Sequence, residues 1–96
     1  VEEQIYKVTT NNGNFYFKDK GHKIRHRIDG PAVETFKGRS GEKIEGGTWY
    51  RNGKLHRLDG PAVDYPGQKE WWINDVRIAR LAGNQYIGPK YLQTHL

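Results

Sequence analysis

Ninety-six residues with 34% apolar content and no cysteine suffice for one small domain with a thin core, closed without disulfides or a cysteine-held zinc. Sixteen lysines and arginines against eleven acidic residues give a net charge of +5, which favours polyanions or acidic protein surfaces as partners. No run of about 18 apolar residues occurs, so no membrane-spanning helix is expected. Glu2 and Glu3 stand where a secretory leader carries positive charge, and the expectation is a soluble, cytoplasmic protein.

The opening, "QIYKVTTNNGNFYFKD", reads as a hairpin. Ile5, Lys7 and Thr9 alternate with Tyr6, Val8 and Thr10. Asn12-Gly13 supplies the turn, and Phe15, Tyr16 and Phe17 return. A basic stretch follows, with Lys18, Lys20, Lys23, Arg25 and Arg27 offset only by Asp19. These cations form a candidate binding edge for phosphate or for an acidic surface.

The phrase "HRIDGPAVE" then runs from 26 to 34, and "HRLDGPAVD" repeats it at 56–64, thirty residues on. Asp29-Gly30-Pro31 and Asp59-Gly60-Pro61 are turn triplets, in which Asp bonds nearby amides and Gly tolerates a left-handed conformation. Proline lacks an N–H and suits the first residue of a new strand. Each copy leads through a Gly-bearing connector, "KGRSGEKIEGG" or "PGQK", to an aromatic strand, "TWYRNG" or "EWWIND". Asn52-Gly53 and Asn74-Asp75 end those strands as hairpin turns. The repeating unit is therefore about 22–24 residues, the period of a repeat architecture. Three segments result: an N-terminal hairpin over 1–20, repeat units over 21–80, and a tail over 81–96 that breaks the pattern. Pro89 can open a short helix over "KYLQTHL", with Tyr91, Leu92 and Leu96 closing an end of the sheet. The fold expected is mainly β: a twisted antiparallel meander of six to eight strands built from hairpin repeats, with a short C-terminal helix.

"WYRNGKLHRLDGPAV" resembles the His-Arg-x-Asp-Gly-Pro-Ala repeat of proteins from tailed phages and giant DNA viruses, and is similar in style to MORN repeats. The resemblance covers roughly residues 22–80. It implies a viral origin and a binding role. MORN repeats carry more glycines at a different Tyr/Gly spacing, so their proposed lipid contacts are not carried over.

Duplicate residues in duplicate units argue for a scaffold rather than for two catalytic roles. His26 and His56 are expected to hydrogen-bond backbone or a neighbouring aspartate, and Arg27 and Arg57 to bridge to Asp29 and Asp59. The structural set is thus His26, Asp29, Gly30, Pro31, His56, Arg57, Asp59, Gly60 and Pro61. The i, i+4 pair His22 and His26 would converge on a helix, which the surrounding glycine and alternation oppose, so no metal site is expected. No phosphate loop, nucleophile elbow or dinucleotide fingerprint is present, Ser40 sits in a Gly-rich connector, and no cofactor is implied. Adjacent strand residues face opposite ways, so Trp49 and Trp71 take one side of the sheet and Tyr50 and Trp72 the other. Tyr50 and Trp72, with Arg51, form a candidate aromatic binding row.

The function expected is non-enzymatic: a small phage-type protein that docks on a host protein of defence or nucleic-acid processing and inhibits it. The second reading is direct RNA or DNA binding by the same surface. The third is a nuclease using His26 and His56. Open sheet edges add a homodimer as a further expectation.

Overall fold

The computed structural model describes residues 4–37 and 43–93. Among the described residues ten strands form: β1 (Tyr6–Thr10), β2 (Gly13–Phe17), β3 (Val33–Lys37), β4 (Lys43–Thr48), β5 (Tyr50–Arg51), β6 (Lys54–Leu55), β7 (Val63–Tyr65), β8 (Gln68–Ile73), β9 (Val76–Ala82) and β10 (Gln85–Ile87). A one-turn helix, α1 (Lys90–Gln93), follows Pro89. Eight strands make one antiparallel sheet in the order β1-β2-β3-β4-β7-β8-β9-β10, and β5-β6 form a separate two-stranded ribbon. The meander is as expected, with its short C-terminal helix.

Several local expectations shift. The first turn is Asn11-Asn12, because Thr10 pairs with Gly13 and Gly13 already belongs to β2. The glycine is needed for a close approach: a Cβ there would lie 1.9 Å from the Glu34 carbonyl oxygen on β3. A contact twenty-one residues away in sequence therefore decides the position. Much of the stretch read as a connector before "TWYRNG" is strand β4, paired with β3 through a bulge opposite Thr35 and Phe36. The aromatic run itself is split, with Thr48 ending β4 and Tyr50 opening β5. Asn52, Gly53, Asn74 and Asp75 all have positive φ, at 52°, 80°, 46° and 67°, so both Asn-led pairs are the turns the sequence announces. Ser40, His95 and Leu96 lie outside the described residues.

The two faces of the sheet differ. One row crosses all eight strands as Val8, Phe15, Val33, Thr48, Val63, Glu70, Arg80 and Ile87, and none of these side chains is fully buried. The opposite face carries Tyr16, Glu34, Gly47, Asp64, Lys69, Leu81 and Tyr86, and the two repeated loops fold back over it. There the core sits, as Ala32 and Ala62 (both 0% exposed), Ala79 and Trp71. Alanine at these positions leaves room for the returning loops. The extents are 40 × 35 × 19 Å, with the shortest under half the longest.

Substituting Gly13→Ala should lower the stability by at least about 2 kcal/mol, since the obstructing atom is backbone. Asn12→Ala should change it by less than about 0.5 kcal/mol. Urea unfolding followed by tryptophan fluorescence measures both, and the reverse order would restore Asn12-Gly13 as the turn.

Candidate functional site

Each repeated loop is built around one arginine. Arg27 lies over the Tyr16 ring at 4.1 Å from its centroid, and Arg57 over Trp49 at 3.9 Å. Nε of each donates to the aspartate two residues on, Asp29 at 3.2 Å and Asp59 at 2.9 Å. A terminal nitrogen donates to the proline carbonyl, Pro31 at 3.2 Å and Pro61 at 3.1 Å. It also reaches a strand carboxylate, Glu34 at 3.2 Å and Asp64 at 3.8 Å. The guanidinium leaves no space beneath Gly30 and Gly60, where a Cβ would come within 2.7 Å and 2.8 Å of the arginine Cζ. Neither glycine has positive φ. The expected left-handed turn is therefore corrected to a steric requirement.

The histidines secure the next unit. The backbone N–H of Asn52 donates to Nδ1 of His26 at 2.8 Å, and that of Asn74 donates to Nδ1 of His56 at 3.1 Å. The imidazole is thus the acceptor, which selects the tautomer carrying its proton on Nε2. Backbone bonds fix the same geometry twice. His26 N donates to Tyr16 O and His56 N to Trp49 O; Arg27 N donates to Tyr50 O and Arg57 N to Trp72 O. Each amide of Asn52 or Asn74 sits in a strained positive-φ turn, and the imidazole satisfies it from the preceding unit.

The tail continues the pattern in disguise. Gly88-Pro89 matches Gly30-Pro31 and Gly60-Pro61, and Tyr86 takes the arginine's place. Its hydroxyl donates to the Pro89 carbonyl at 2.5 Å, and its ring meets Trp71 edge-on at 6.3 Å. A Cβ at Gly88 would lie 2.8 Å from that hydroxyl. Burial, with Tyr91 adding to it, raises the Tyr86 pKa and keeps the hydroxyl a donor. The pattern was invisible in sequence because tyrosine replaces arginine and the spacing shortens by one. Leu92 of α1 is half-buried and lines a pocket with Trp71, and Tyr91 is 65% exposed.

The expected basic edge separates. Arg27 belongs to the scaffold just described, with 22% of its side chain exposed. Lys18, Lys20, Lys23 and Arg25 are exposed. Arg25 lies 5.5 Å from the Tyr50 ring centroid, and His22 packs on Phe17 at 5.1 Å. Phe17, His22, Lys23, Arg25 and Tyr50 line one open depression of about 330 Å³. Asp19 shapes this corner: its carboxylate accepts the amides of Lys23 at 3.0 Å and Ile24 at 2.8 Å. The bond from Ile24, foremost among these interactions, holds the Asp19 carboxyl below the usual carboxylate range. Lys18 Nζ donates to Asn52 Oδ1 at 2.8 Å, tying the corner to the next turn.

The aromatic row also separates. Tyr50 and Trp72 are half-buried, and Trp72 Nε1 donates to Glu70 at 2.8 Å. Arg51 instead shares a groove with Trp49, His56 and Arg57 on the loop side. Among the described residues no three His, Asp or Glu side chains gather as a metal-ligand set. No family model, curated protein or solved structure matches the chain. The class that fold and site define is therefore drawn from the geometry: a hairpin-repeat sheet whose repeated polar residues are committed to holding its units together.

That commitment predicts an order of costs. His26→Ala should destabilise by about 2–3 kcal/mol because it orphans a turn amide beside a buried side chain, and His56→Ala by about 1 kcal/mol at its wetter site. Arg57→Met keeps the apolar stem but loses the fork, and should cost about 2–3 kcal/mol. Urea denaturation checks the series; equal, near-zero costs would remove the histidines and Arg57 from the scaffold.

Acid unfolding gives a second check. The Asp59 carboxyl is held below the usual range, foremost by its bond from Arg57, and Asp19 is lowered as described. Both contribute stability above the unfolded carboxylate value, and that stability is lost as pH falls through the lower folded value, in the window below roughly pH 4. Asp19→Asn and Asp59→Asn should flatten the acid limb of a stability–pH curve there.

Proposed function

We propose that the chain is a non-enzymatic binding protein that docks on an acidic surface of a partner protein through the sheet face opposite the loops. The observation that supports this most is the division of labour between the two faces. The repeated His, Arg and Asp side chains are occupied in the scaffold, each histidine accepting a backbone amide. A hydrolytic pair built on His26 and His56 would need both Nδ1 positions to be surrendered.

The other face offers anchors. Phe17, Tyr50 and Arg25 form an aromatic and cationic corner, and the half-buried row Val8, Phe15, Val33, Thr48 and Val63 runs across the strands on the same face. Aromatic and arginine side chains beside an apolar band suit a protein interface, whose fully desolvated centre carries the energy. A nucleic-acid track needs cations spread along a path. Here Lys18, Lys20, Lys23 and Arg25 gather within eight residues, and Glu70 interrupts the row. The resemblance of the repeat to viral proteins makes a host protein of defence or nucleic-acid processing the natural target, with inhibition as the consequence of docking.

Capture of host proteins on the immobilised chain, with and without nuclease treatment, tests this reading. The expected partner survives nuclease, is weakened more by Trp72→Ala or Tyr50→Ala than by raising salt from about 50 to 200 mM, and is lost with Arg25→Glu. Loss of capture on nuclease treatment, with a steep fall against the logarithm of salt, would assign the surface to RNA or DNA instead.

A further inference from the structure

The repeated phrase leaves one side chain without a scaffold role. In His-Arg-x-Asp-Gly-Pro-Ala the imidazole, guanidinium, carboxylate, glycine, proline carbonyl and buried alanine are all used in both copies. Position x is Ile28 in one and Leu58 in the other, 53% and 76% exposed. A turn tip in water suits any polar residue, and one exposed aliphatic is ordinary. Two at the same place in successive units, on either side of one groove of about 260 Å³, make a built feature.

Fold geometry sets their spacing. The two loops feed β3 and β7, which are two strands apart in the sheet, so equivalent positions stand about 10 Å from each other. Seven residues of an α-helix rise about 10.5 Å. Side chains on one face of an extended strand recur at about 6.7 and 13 Å, and miss this interval. A polyproline helix, at about 9.3 Å per three residues, matches it but grips through bare aromatic faces. Trp49, the aromatic ring of this groove, already carries Arg57 at 3.9 Å.

Charge selects the partner further. Arg27 and Arg57 are balanced by Asp29 and Glu34 and by Asp59 and Asp64. Arg51 also lines the groove, is exposed, and its guanidinium has no hydrogen bond or ion pair among the described residues. Arg51 is thus the arginine of the groove without an ion pair among the described residues, set between two apolar tips.

We propose that the Ile28–Leu58 crest receives an acidic amphipathic helix of a partner protein, its apolar residues seven apart seated on the two tips and a carboxylate on Arg51. Residue x is then the reading position of the repeat, one side chain per unit. This site lies on the loop side of the sheet, opposite Tyr50 and Arg25, so the chain can hold two surfaces at once.

The probe is a side-chain-stapled helical peptide of about 18 residues with leucines seven apart and glutamates flanking them, titrated into the full chain by calorimetry and by amide shift mapping. Binding is expected to shift Ile28, Leu58 and Arg51, to fall about tenfold or more in I28S/L58S, and to weaken about threefold or more in Arg51→Gln. Both positions are exposed, so these variants keep the circular dichroism and urea midpoint of the parent. Tyr50→Ala and Trp72→Ala leave the peptide affinity unchanged, which separates this proposal from the docking described above. Absence of binding up to about 1 mM, equal binding by the peptide with lysines for glutamates or by a polyproline peptide, or indifference to I28S/L58S would each overturn it.

Discussion

The structure depends on a guanidinium held over an aromatic ring. From Arg57, stacked on Trp49, contacts run to the aspartate of its own turn, to the carbonyl of Pro61 and to the carboxylate of Asp64 on the next strand. One side chain therefore fixes the turn, the loop return and the loop's position on the sheet. The charge is half-buried yet paired with acids on two sides, and it lies over a π-system. This is the arrangement in which a partly desolvated arginine stabilises rather than costs. A lysine offers no plane to stack and no fork, so the phrase depends on arginine in particular.

Histidine supplies what arginine cannot, a link between units. Each imidazole accepts the amide of an Asn-led turn in the following unit, 26 residues on for His26 and 18 for His56. Such turns have positive φ at non-glycine residues, which carries a backbone cost of about 1 kcal/mol or more. The acceptor from the neighbour offsets part of that cost, so turn geometry and unit stacking are coupled. In the third unit Tyr86 replaces the arginine with a ring and a hydroxyl, and the proline carbonyl still receives a donor.

Much of this was legible in the residues. The doubled phrase announced a scaffold, Asn52-Gly53 and Asn74-Asp75 announced their turns, and the alternation of Trp49 with Tyr50 and of Trp71 with Trp72 placed them on opposite sides. What stayed hidden was set by contacts distant in sequence. Gly13 is a glycine because the Glu34 carbonyl approaches it, and nothing local in "NNGN" distinguishes that from a glycine in a turn. Gly30 and Gly60 look like turn glycines and are instead the space under a guanidinium. Tyr86 escaped notice because equivalence in the fold rests on a donor over an aromatic ring, a property two unlike residues share. Arg27 sits in sequence among the exposed cations of its segment, yet the phrase it shares with Arg57 makes it scaffold.

The thinness of the domain bears on what it can do. Ala32, Ala62, Ala79 and Trp71 are its buried apolar side chains among the described residues, and the two repeated loops lie on one face of the sheet. A fold with so little interior relies on polar contacts between units rather than on core volume. It can present broad, rigid surfaces, because each unit is fixed to the next by polar contacts that do not depend on core volume. Changing Ile28 or Leu58, or the outward aromatics, leaves those contacts intact. The scaffold therefore separates the residues that set shape from those left exposed, and the exposed set can vary without loss of the fold.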